Sequence, residues 1–117
     1  VSGFQKKKFL GFCFISTAVC EAEGKPDDCA ELTAFRAFRD GYLRAQPDGP
    51  ALIEEYYAAA PTIVMCIDVC GDRDARYAAI RRQHLQPCYE ALRAGDLAGC
   101  KTRYVRMMRA LQREYLS

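Results

Sequence analysis

The feature that most constrains this chain is the return of apolar side chains every three or four residues. Leu32, Phe35, Phe38 and Tyr42 recur in that way, and so do Cys100, Tyr104, Met107, Met108, Leu111 and Tyr115. A helix turns once in about 3.6 residues, so each set makes a single stripe along one helix face. Such stripes must be buried against other helices, and the sequence gives strands little support. The expected fold is therefore all-α, a compact bundle of about five helices led in by an apolar, extended or partly helical N-terminal segment.

Punctuation between the stripes sets the expected boundaries. Pro26, Asp27 and Asp28 open a helix over about 28–45, because early acids suit its positive end. The turn cluster Gln46-Pro47-Asp48-Gly49-Pro50 closes it. Leu52, Ile53, Tyr56, Tyr57 and Ala60 give the next helix its apolar face, and Pro61 is expected to end it and open a third. There Ile63, Val64, Ile67 and Val69 leave little polar surface, and Gly71 is placed as a C-terminal cap. Tyr77, Ile80, His84, Leu85, Cys88 and Leu92 mark a further helix, kinked or split by Pro87 near Gln86. Gly95 stops it and Asp96 caps the last one. The short loop makes these two helices antiparallel neighbours. The expected core is Phe14, Ile15, Leu32, Phe35, Phe38, Ile53, Tyr57, Ile67, Leu85, Leu92, Tyr104, Met107 and Leu111.

Three blocks recur in an order and spacing that carry more information than any one of them. They are Phe12-Cys13-Phe14-Ile15-Ser16-Thr17-Ala18, Leu32-Thr33-Ala34-Phe35-Arg36-Ala37-Phe38-Arg39-Asp40-Gly41-Tyr42-Leu43, and Gly49-Pro50-Ala51-Leu52-Ile53-Glu54-Glu55-Tyr56-Tyr57-Ala58-Ala59-Ala60-Pro61. Together, over roughly residues 11–67, the chain resembles the CFI-box domain, a small bacterial domain usually found at the C-terminal end of longer proteins. The resemblance implies an upstream region, with 1–10 as a linker from it; it thins beyond Gly71, and the helical spacing makes 11–117 one helical domain. In that division 11–70 is the CFI-box-like part and 71–117 a C-terminal helical hairpin. It brings no reaction, substrate or cofactor.

At 117 residues and 50% apolar content the chain can bury one core. The apolar run Phe9–Val19 is shorter than the roughly 17 residues a membrane-spanning helix needs. Lys6, Lys7 and Lys8 ahead of it read as a solvated linker rather than the flank of a signal peptide. A cytoplasmic location is favoured.

Seven cysteines is a high and odd number. Reduced, buried thiols are the leading reading, since free Cys packs as a small apolar residue. Disulfides and a metal site are the alternatives. No CxxC pair occurs and His84 is the single histidine, so the common zinc-finger spacings are missing. Cys13, Cys20, Cys29, Cys66 and Cys70 are weak metal candidates. Cys66 and Cys70, four apart, could present two thiolates from one helix face. Cys88 and Cys100 flank the hairpin loop and are the pair most expected to meet, hence the candidate disulfide.

Candidate catalytic groups are sparse. Cys13, with Ser16 and Thr17, offers nucleophiles, and His84 offers a base. The acids Asp27, Asp28 and Glu31 read as helix-start residues. There is no phosphate-cradling glycine loop, HExxH or GxSxG, and no cofactor is expected.

Charge divides unevenly. Residues 1–70 carry seven Lys and Arg against ten Asp and Glu, a balance of −3, whereas 71–117 carry ten against five, a balance of +5. On the last helix Lys101, Arg103, Arg106, Arg109 and Arg113 fall opposite the apolar stripe. Such a face can bind acidic protein surfaces or phosphate backbones. Arg103, Arg106, Arg109 and Arg113 are the candidate partner-binding residues, with a protein or an upstream domain favoured over nucleic acid; Tyr56 and Tyr57 mark a second candidate contact region. The functional expectation is a non-catalytic accessory or protein-interaction module. Its rival is cysteine-based chemistry: thiol redox, soft-metal binding or a Cys13 nucleophile.

Overall fold

The computed structural model describes residues 13–116, and within them the chain is all-α, with five helical rods and no strand. The first rod, α1, is Phe14–Ala22. The second, α2, is Ala30–Phe38 and runs on through a π-helical stretch, Arg39–Leu43. The third, α3, is Gly49–Asp68. The fourth, α4, begins as Arg73–Ile80, passes through a second π-helical stretch, Arg81–Leu85, and continues as Gln86–Arg93. The fifth, α5, is Leu97–Leu116. The expected linker 1–10 and the lead as far as Phe12 lie outside the described residues. From Cys13 onward the lead is helical rather than extended.

The stripes read from the sequence line one continuous core. Phe14, Ile15, Phe35, Phe38, Ile53, Ile67, Leu85, Tyr104, Met107 and Leu111 all belong to it, and Leu32 is buried as well. α5 lies against α3 and the second half of α4, α2 packs on that same half of α4, and α1 packs on α3 and the start of α4. Phe35 sits at the junction, its ring 5.8 Å from those of both Tyr89 and Tyr104.

Several local expectations change. Pro61 lies inside α3 instead of ending it. The hydrogen bond it removes would have gone to the carbonyl of Tyr57, on the side of the helix that faces water, where solvent can replace it. Tyr57 is accordingly 48% exposed rather than core, because the helix phase that buries Tyr56 turns its neighbour outward. The 63–69 region is likewise one-sided: Ile63 and Ile67 are buried, but Met65 and Val69 are 65% and 79% exposed. Leu92 is half-buried. Gly71 does not adopt a positive φ.

Pro87 does not break its rod. In a regular helix its ring would press on the carbonyl four residues back. Here the wider π turn stands just upstream, with the Gln86 N–H reaching back to the Arg81 carbonyl, and the helix changes type at Gln86 without parting. A matching five-residue bond, Arg44 N–H to Arg39 carbonyl at 2.9 Å, closes the other π stretch.

Two glycines are dictated by geometry. Gly95, at φ 81°, turns the chain between α4 and α5 in a conformation costly for other residues. Gly49 lets the start of α3 approach the end of α2, since a Cβ there would collide with the Leu43 carbonyl. Beyond Gly95, the Asp96 carboxylate accepts the Gly99 N–H at 2.9 Å and caps α5.

Candidate functional site

Because α2 and α5 both rest on the second half of α4, a trough remains between them. One lobe, of about 510 Å³, is walled by Phe38, Tyr42, Tyr89, Leu92 and Leu97. Phe38 and Tyr42 stack with ring centres 5.5 Å apart, a rigid aromatic wall raised by successive turns of α2. Gly41 lies on the floor, and a Cβ there would meet open space. It belongs to the π-helical stretch, a distortion frequent at functional sites. Tyr42 also lines a second, more polar lobe of about 420 Å³, with Val105, Gln46, Thr102, Lys101 and Asp48. The two lobes thus form one open groove.

Cations stand at its ends. Arg93 lies over the Tyr89 ring, 5.7 Å from its centre, and is exposed at the rim. Lys101 bonds Asp48 at 2.7 Å. Apolar spacing places Phe38 and Tyr42 on one stripe and gives no sign of this groove; Phe38 is core as expected, whereas Tyr42, one turn on, is only partly buried and lines both lobes.

The basic face of α5 divides. Arg109 forms an ion pair with Glu55 and also hydrogen-bonds Gln112 at 3.0 Å, so it helps tie α5 to α3. Arg103, Arg106 and Arg113 are exposed. The expected four-arginine surface is therefore three outward arginines and one clamp.

Arg39 and Arg81 both belong to π stretches, Arg39 buried and Arg81 half-buried. Arg39 is 7% exposed and donates to Asp40 at 2.8 Å. Arg81 donates to Glu31 at 2.7 Å and to Glu23 at 2.8 Å. Glu31 stands in the first turn of α2, as its helix-start reading expects, and at 5% exposure it is also a buried ion-pair partner.

The candidate nucleophiles are engaged elsewhere. The Ser16 and Thr17 hydroxyls donate to the Cys13 carbonyl at 2.9 and 2.8 Å, the local back-bonding typical of these side chains in helices. The Cys13 thiol is buried, and burial pushes its pKa up to about 11. Burial, reinforced by Glu31, pushes the Cys20 thiol up to about 12. His84 lines a separate cleft of about 90 Å³ with Arg76 and Tyr115, of which Cys13 is no part, and partial burial lowers its pKa. Nucleophile and base are therefore not brought together.

The metal candidates are also dispersed. Cys70 lies beyond the end of α3, its thiol 3.2 Å from the Cys66 carbonyl, so the two do not share a helix face. Among the described residues no three His, Cys, Asp or Glu side chains gather where they could hold a metal ion. No described helix is long and apolar enough to cross a membrane. Cys88 and Cys100 do meet, their sulfurs 3.5 Å apart inside the hairpin.

No family model, curated protein or solved structure matches the chain.

Proposed function

We propose that this domain is a non-catalytic interaction module whose groove takes an acidic segment of a partner protein bearing two apolar side chains. The observation that carries the reading is the pair of open lobes that meet at Tyr42, the first mainly apolar with Arg93 at its rim and the second mixed, with Val105 beside Gln46, Thr102 and the Lys101–Asp48 pair. The groove has the size of a ligand site, but its openness and its two lobes suit an extended segment better than one enclosed small molecule. Arg93 at the rim, with Arg103 and Arg106 on the excess-positive C-terminal half, supplies attraction for acids flanking the apolar anchors. Anchors of this kind contribute most of the affinity of small interfaces. The rival reading, cysteine chemistry, draws less support, since burial holds the Cys13 and Cys20 thiols protonated at neutral pH.

Calorimetric titration with an acetylated peptide carrying Leu and Phe among Asp and Glu residues tests it. Binding should weaken with salt, and it should be lost in a folded Leu92→Glu variant. Equal binding of a matched peptide with Lys for every acid, or no effect of Leu92→Glu, would contradict the proposal.

A further inference from the structure

We infer that Cys88 and Cys100 are joined by a disulfide that staples α4 to α5 and stiffens the hairpin walling the groove. Their sulfurs lie 3.5 Å apart and both residues are 0% exposed. This approach is built by the hairpin and not by chance contact of mobile side chains. Gly95 and the Asp96 cap fix the loop, and both cysteines face inward from helices that the loop holds side by side. The Cys88 thiol also lies 3.4 Å from the Cys100 carbonyl. Both are free thiols in the structure, and a bond needs their sulfurs to close from 3.5 Å to about 2.0 Å.

The oxidant is an external disulfide, small-molecule or protein. A thiolate of one cysteine attacks it and expels one thiolate, forming a mixed disulfide. The second cysteine, as its thiolate, then attacks the sulfur bound to the chain and expels the other. Two chain thiols thus lose two protons and two electrons, and the external disulfide leaves as two thiols. Contact with Cys100 and burial both hold the Cys88 thiol protonated in the folded chain, so exchange belongs to the stage before the hairpin closes. Once closed, the bond is shielded from reductants. The staple crosses the hairpin that presents Tyr89, Leu92, Arg93 and Leu97, and it would limit the spreading of α4 from α5. A chain that acquires it folds in an oxidising setting, contrary to the cytoplasmic expectation.

The test is refolding of the full chain in mixed oxidised and reduced glutathione, followed by alkylation in denaturant with and without prior reduction. Five of the seven cysteines should alkylate without reduction and all seven after it. Trypsin should yield one crosslinked pair, residues 83–93 joined to 94–101. The urea midpoint should be higher for the oxidised chain than for the reduced one, a difference absent in Cys88→Ala/Cys100→Ala. Seven alkylated cysteines without reduction, or a crosslink between other cysteines such as Cys66 and Cys70, would overturn the inference. The peptide map uses the unaltered chain and decides even where the double variant does not fold. Groove binding measured on reduced chain is independent of either result.

Discussion

Arg81 holds Glu31 across the bundle, its Nη1 2.7 Å from one carboxylate oxygen and its Nη2 3.0 Å from the other, although fifty residues separate them in sequence. The same guanidinium grips Glu23 at 2.9 and 2.8 Å. It thereby ties α4 both to the end of α1 and to the start of α2. Glu31 and Arg81 are only 5% and 15% exposed. Removing one partner leaves the other charge poorly solvated. Arg81→Met should destabilise the fold by roughly 3 to 5 kcal/mol, read from urea unfolding. Glu31→Leu combined with Arg81→Met should cost less than the two single changes summed; strict additivity would show that the pair is not coupled.

Acid should weaken the fold through the same contacts. The hydrogen bond from Arg81 holds the Glu23 carboxyl below its ordinary pKa, and Arg39 and Arg109 do so for Asp40 and Glu55. A carboxyl whose folded pKa is depressed contributes stability that is complete above the unfolded value and lost as pH falls through the folded one. Unfolding free energy should therefore drop from about pH 5 downward. In Arg81→Met the drop should be shallower, and an unchanged acid slope would remove Glu23 from the explanation.

Phe35 is completely buried between Tyr89 and Tyr104. Phe35→Ala should cost roughly 3 to 5 kcal/mol, as large core aromatics do. A melting temperature within a degree or two of the parent chain would refute the packing at the α2–α4–α5 junction.

Thiol reactivity should follow burial. With Cys13 raised to about 11 and Cys20 to about 12, both should resist iodoacetamide in native buffer near pH 8. Cys29, Cys66 and Cys70 are partly exposed and should label first. Rapid labelling of Cys13, mapped by peptide mass, would restore it as a candidate nucleophile.

What was legible in the sequence was helix phase, because burial repeats with the helical period. Leu32, Phe35 and Phe38 on α2, and Tyr104, Met107 and Leu111 on α5, are core for that reason. Proline was less legible. Its missing N–H costs little at Pro61, opposite a solvent-facing carbonyl, and a π turn accommodates Pro87. Long-range pairing was invisible, since nothing near Glu31 in sequence announces Arg81. The groove fell between the two cases. Its residues were recognisable as apolar, but which part of the α2 stripe lacks a cover depends on how α5 sits on α4.

The central claim, that the groove is the binding surface, is tested most directly by amide-resolved NMR during titration of the labelled chain with the acidic Leu- and Phe-containing peptide. Shifts should concentrate at Gly41, Tyr42, Tyr89, Leu92, Arg93 and Lys101, and saturate together. Shifts confined to the exposed α3 stripe of Tyr57, Met65 and Val69, or no shifts at all, would contradict it.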